Sequence, residues 1–135
     1  MRADVIDELD RRKFICIFRG ASMSTDDLGR ACGAVLKGGS RIVEITYDHN
    51  DRREGTTLEE IRYLKGRFGS DLIVGAGTVL TKSQVDDAHT AGAEFAVSPV
   101  LGRDVIAEAH KLDMMVMPGC CSATEAYAAY LCGAY

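Results

Sequence analysis

A chain of 135 residues is one domain's worth of sequence, long enough to bury a core of its own. Its net charge of −4, with no basic block, argues against a nucleic-acid or membrane-surface protein. No apolar run is long enough to cross a bilayer, and the first residues lack the apolar core and cleavage site of a signal peptide. The five cysteines, at 16, 32, 120, 121 and 132, are odd in number and show no CxxC spacing. Reduced thiols and a cytoplasmic location follow as the expectation. Cys120-Cys121 reads as small-residue packing ahead of a metal or redox feature, because nearby Cys and His residues form no ligand pattern.

In chain order, an amphipathic helix over residues 4–12 comes first, and strand then alternates with helix five times. The predicted strands are 14–18, 42–46, 72–75, 95–98 and 114–117. Each is short, apolar on both faces and bounded by Gly, Pro or a polar residue, as buried parallel strands are. The first long helix is expected to start near Ser24-Thr25-Asp26-Asp27, whose acids suit the positive end of the helix dipole. Thr57-Leu58-Glu59-Glu60, Thr81-Lys82-Ser83-Gln84 and Ser122-Ala123-Thr124-Glu125 each fit a capping box. Gly38-Gly39, Gly69 and Gly92 mark helix ends, where glycine takes the left-handed conformation without a Cβ clash.

Two α/β folds fit this pattern. A flavodoxin-like doubly wound sheet has five βα units at about this length. The other is five of the eight units of a (βα)8 TIM barrel, which needs roughly 250 residues in full. Both place functional groups at strand C-terminal ends, which here read Arg19-Gly20, Thr46-Tyr47-Asp48, Gly75-Ala76-Gly77-Thr78, Ser98-Pro99 and Pro118-Gly119. A phosphoacceptor domain would want Asp after the third strand and Lys after the fifth, and neither is there. Gly75-x-Gly77 lacks the third glycine of a dinucleotide fingerprint. Within the second strand, Ile42, Glu44 and Thr46 share one face. A carboxylate in so apolar a run must meet a solvated cavity, a partner or the strand's edge, because burying it alone is costly.

Taken in order, Ile42-Val43-Glu44-Ile45-Thr46, Val74-Gly75-Ala76-Gly77-Thr78-Val79-Leu80, Ala91-Gly92-Ala93-Glu94-Phe95-Ala96-Val97-Ser98-Pro99 and Met117-Pro118-Gly119 with Thr124-Glu125 resemble the 2-keto-3-deoxy-6-phosphogluconate / 4-hydroxy-2-oxoglutarate (KDPG/KHG) aldolase family. The resemblance runs from about residue 13 to residue 135. It implies a metal-free, cofactor-free class I aldolase on a (βα)8 barrel, usually trimeric, whose small-molecule partner is a keto acid with a pyruvate moiety. By that resemblance Glu44 is the proton-shuttling glutamate, and Thr78 holds the pyruvate carboxylate with help from turn N–H groups. Arg19 is the active-site arginine suited to carboxylate or phosphate, and Pro99 lines the pocket. A raised pKa suits Glu44 to such work near neutral pH.

The sequence departs from the family in two places. Where members acting on the phosphorylated sugar acid carry an arginine, this chain has Asp48, with Arg52 or Arg53 the residues able to reach back, while His49 reads as a solvated loop residue. The family's Schiff-base lysine lies on a sixth strand, beyond Tyr135, and Lys13, Lys37, Lys65, Lys82 and Lys111 all sit away from strand C-termini. Two expectations follow: the chain is inactive by itself, and it self-associates, pairs with a missing half, or is an incomplete version of a longer protein. The sheet face opposite the crossover helices is expected to lie bare, with the first and fifth strands as open apolar edges. The alternative is a non-catalytic (βα)5 module that binds a small carboxylate or serves in assembly.

Overall fold

The structure, a computed structural model, describes residues 2–19, 23–48 and 54–135. Helix α1 (Arg2–Arg12) leads into β1 (Cys16–Phe18), α2 (Thr25–Lys37), β2 (Ile42–Thr46), α3 (Glu54–Phe68), a 3-10 turn (Gly69–Asp71), β3 (Ile73–Gly77), α4 (Lys82–Ala91), β4 (Phe95–Ser98), α5 (Arg103–Lys111), β5 (Met115–Pro118) and α6 (Ala123–Leu131). The five strands form one sheet in sequential order, every neighbouring pair parallel. Leu28 and Cys32 of α2, Ile61 and Leu64 of α3, Val85 and Ala88 of α4, and Val105, Ile106 and Ala109 of α5 pack in one cluster with Val43, Ile45, Val74, Ala76, Ala96 and Val116. The crossover helices therefore lie on one face, as right-handed connections in sequential order require.

The opposite face is not bare. A second cluster joins Ile42, Ile73, Phe95 and Met115 to Val5 of α1, with Ile6, Leu9, Ile15, Val97 and Met117 packed against it. The first helix folds under the sheet because its apolar positions Val5, Ile6 and Leu9 fall on one side at helical spacing. It covers the end where the strands begin. At the strand C-terminal end the same face is more open, with Ile17 of β1 55% exposed. The fifth strand's free edge is also engaged, since Tyr135 N–H donates to the Val116 carbonyl at 3.0 Å.

Local signals explain most helix ends. Ser24 caps α2 by accepting from Asp27 N–H, and Thr81 with Gln84 forms a complete capping box on α4. Ser122 caps α6, but the Glu125 carboxylate reaches one residue further back, to Cys121 N–H. The box expected at Thr57 is overturned. Helix α3 starts at Glu54, and Thr57, inside it, donates its hydroxyl to the Thr46 carbonyl at 3.4 Å. Of the Gly38-Gly39 pair, only Gly39 takes the left-handed conformation, with φ 89°.

At the strand N-terminal end, Lys65 ties α3 to the sheet. Its ammonium donates to the carbonyls of Gly69 (3.0 Å) and Leu72 (3.1 Å) and to Glu94 Oε2 (2.8 Å), which also accepts Val74 N–H at 3.1 Å. Lys65→Met is expected to lower stability by about 1–3 kcal/mol, because the partly buried Glu94 carboxylate then loses its cation. Urea denaturation checks this, and an unchanged midpoint would show the network to be inert.

Candidate active site

Sheet register sets the site. Ile17, Glu44 and Gly75 are neighbours across β1, β2 and β3, and the row continues through Phe95 and Met115. One layer higher, Thr46 stands beside Gly77. Gly75 and Gly77 both lie within β3 and neither has a positive φ, so turn geometry does not account for them. What they provide is room. A Cβ on Gly75 would meet the Phe95 ring at 2.3 Å, and one on Gly77 would meet Glu44 Oε1 at 1.7 Å. The Phe95 ring thus fills the space of one missing side chain and the Glu44 carboxyl that of the other.

Glu44 is only 6% exposed. Burial pushes its pKa above the ordinary carboxylate value, opposed in part by the Thr46 hydroxyl, which donates to Oε1 at 3.2 Å, and by the nearby positive charge of Arg19. The strand-edge option for this carboxylate is excluded, since β2 is paired on both sides. A carboxyl whose proton affinity is raised by burial, yet which faces the strand C-terminal end, holds its proton to higher pH than an ordinary carboxylate and is placed to exchange it there.

Thr78 follows Gly77 directly and is held at φ 58°. A β-branched residue in the left-handed region is strained, and such strain concentrates where a side chain must be aimed. Thr78→Gly is expected to raise stability by about 1 kcal/mol by relieving it. A Gly variant that is no more stable in urea would count against strain at this turn.

Arg19 is exposed just past β1, near enough to act electrostatically on Glu44. Pro99 stands at the end of β4, two strands along the sheet from Glu44. There the Pro99 carbonyl backs onto Gly119, where a Cβ would meet it at 2.2 Å, and Gly119 N–H donates to the Ser98 carbonyl at 2.7 Å. The structure therefore gathers Glu44, Thr46, Gly77 and Arg19 with Thr78 adjacent, and leaves Pro99 on the rim. Asp48 is half-buried beyond β2, while His49, Arg52 and Arg53 lie outside the described residues. Thr46 and Gly77 were the parts not singled out. Strand alternation already put Thr46 on the Glu44 face, whereas nothing local to Gly77 announces a carboxyl lying over it.

Sequential parallel strands, each followed by a helix on one face, with the polar groups gathered at strand C-terminal ends, define a protein of the (βα) TIM-barrel type, of which five units are present. Within that class the chain belongs to the KDPG and KHG aldolase family, whose model matches residues 5–135. It is 34% identical over 120 residues to the 2-dehydro-3-deoxy-6-phosphogalactonate aldolase of Escherichia coli, covering 89% of this chain and 55% of that protein. With the 2-dehydro-3-deoxy-phosphogluconate aldolase of Treponema pallidum the identity is 37% over 92 residues, or 68% of this chain and 41% of the relative. The crystal structure of the 2-keto-3-deoxy-6-phosphogluconate aldolase of Zymomonas mobilis with 3-phosphoglycerate superposes with a TM-score of 0.82 at 25% identity, over 99% of this chain and 60% of that one. The chain thus spans about half the length of the curated relatives it matches. Among the described residues, no helix is long and apolar enough to cross a membrane.

Proposed function

We infer that these residues supply the proton-transfer and carboxylate-binding part of a class I aldolase, one that cleaves 2-keto-3-deoxy-6-phosphogluconate or 4-hydroxy-2-oxoglutarate to pyruvate and an aldehyde. The observation that carries the reading is the buried Glu44 carboxyl of raised pKa, lying on Gly77 at the strand C-terminal end. Family membership supports it. In this reading the keto group is first condensed with a lysine amine to an imine. When the C–C bond breaks, the aldol hydroxyl proton passes to Glu44 and the electron pair moves into the imine, giving an enamine. Glu44 later returns the proton. Thr78 holds the pyruvate carboxylate, Arg19 adds a cation for carboxylate or phosphate, and Pro99 lines the rim. No metal or cofactor takes part. Residues 1–135 act as a single partial barrel domain within a cytoplasmic homo-oligomer, a trimer by family resemblance.

In this reading these residues do not supply the amine. Lys13 pairs with Asp10, Lys111 with Glu108 and Lys65 with Glu94. Lys37 and Lys82 are exposed at helix ends. None stands on the Glu44 face of a strand, so the reading assigns the imine to a lysine outside these residues and no aldolase activity to this chain by itself. Borohydride reduction in the presence of pyruvate tests it. No covalent adduct is expected on the purified chain, and a trapped adduct together with aldol cleavage would overturn the assignment. The same placement of lysines favours a second reading, a carboxylate-binding module without catalysis. Pyruvate titration of Glu44→Gln and Thr78→Ala separates the two, since a plain binder loses affinity in the Thr78 variant alone.

A further inference from the structure

Between β5 and α6 the chain carries Cys120 and Cys121 side by side, and both are exposed. That overturns their reading as packing residues. The turn they occupy is held in place. Gly119 N–H donates to the Ser98 carbonyl at 2.7 Å, and Cys121 N–H to Glu125 Oε2 at 2.7 Å. Cys120 Sγ meets the Pro118 carbonyl at 3.8 Å. The remaining thiols are less accessible, Cys32 buried and Cys16 and Cys132 half-buried. Burial also pushes the Cys32 thiol up to about 11, which keeps it protonated and inert at neutral pH.

Adjacent residues place their Cα atoms about 3.8 Å apart. A disulfide normally spans about 4.4–6.8 Å between Cα atoms, so a direct S–S bond here would be strained and easily reduced. Inserting one further atom between the sulfurs lengthens the bridge and removes that strain. Zinc is a poor candidate for the atom, because it takes four ligands and no group of three His, Cys, Asp or Glu suited to a metal forms among the described residues. Trivalent arsenic bearing one organic substituent needs two sulfurs and no more, and thiolates are soft donors that suit soft centres.

We propose that Cys120 and Cys121 are a chelating dithiol site for trivalent arsenicals, set on the same end of the sheet as Glu44. The reaction is a condensation. Two S–H bonds and the arsenic–oxygen bond break, two As–S bonds form, and the oxygen leaves as water with both thiol protons. Arsenic stays trivalent throughout, so no oxidant or reductant is required.

Phenylarsine oxide added to the full chain tests this, read by intact mass. One adduct per chain is expected, lighter by one water than the simple sum. It should survive excess 2-mercaptoethanol and be stripped by 2,3-dimercaptopropanol. Cys120→Ser and Cys121→Ser should each lose the monothiol-resistant adduct, while Cys132→Ser keeps it. Both of the first two positions are exposed, and far-UV circular dichroism matching the parent confirms that the variants are folded. No adduct on the parent, removal by the monothiol, or a resistant adduct persisting in either Cys120→Ser or Cys121→Ser would overturn the site.

Discussion

Phe95→Ala should destabilise the chain by about 3–5 kcal/mol, the range for emptying a fully buried aromatic position. Phe95 has no exposure, and its ring is packed between Gly75 and the cluster of Val5, Ile42, Ile73 and Met115 under the sheet. The informative experiment adds Gly75→Ala. In the parent, that methyl would meet the ring at 2.3 Å, and overpacking of this kind costs about 1–3 kcal/mol. With the ring gone, the same methyl enters the space the ring occupied. Gly75→Ala is therefore expected to cost less, or to stabilise, in the Phe95→Ala background, a coupling that a double-mutant cycle in urea measures. Single effects that simply add would mean the ring does not lie where the register places it.

Glu44→Gln is expected to move two quantities in opposite directions. Aldol cleavage, measured with the imine-forming lysine supplied, should fall by about 10²–10⁴, the usual contribution of a positioned acid/base. Stability should rise. The native state holds the Glu44 proton to higher pH than the unfolded chain does, because burial raises its pKa from the ordinary 4.5. Between those two values the native state binds more protons, so stability declines as pH increases. Gln has no proton to lose. The variant's advantage should thus be absent well below pH 4.5, grow as pH rises through the native pKa, and then level off. Glu60 is raised in the same direction by its own burial, but it is present in both proteins and cancels in the difference. Unfolding curves that run parallel for parent and variant across this range would refute the claim that Glu44 is ionised at a cost.

The order of elements was legible in the sequence because each strand is a short apolar run punctuated by Gly, Pro or a polar residue. Strands β2 and β4 fall on their expected residues. β5 lies one residue further along than expected, and β1 and β3 differ for physical reasons. β1 begins at Cys16 instead of Phe14, since it pairs with β2 alone and Phe14 remains exposed. β3 runs on to Gly77, where Gly-Ala-Gly suggested a turn. Those glycines belong to the strand because Phe95 and Glu44 lie over them, and no local pattern records a side chain arriving from another strand. The cover provided by α1 was missed likewise. Its amphipathic spacing was visible, but not which sheet face it would seek. Of the candidate site, Glu44, Thr78 and Arg19 were named by motif. The sequence alone left open whether Glu44 sat in a cavity or at an edge, and pairing on both sides of β2 decided it.

The placement of α1 gives the inner sheet face a direction. Along β2, Ile42 is sealed beneath Val5 and its neighbours, Glu44 sits at the boundary, and Thr46 stands above it, half-buried. Under the proposed function, stability and chemistry are thus sorted by height on a single strand. Changes at the level of Ile42 should register in unfolding curves and leave ligand affinity alone, and changes at the level of Thr46 should do the reverse. Only at the middle level do the two conflict, and the residue that bears the conflict is Glu44.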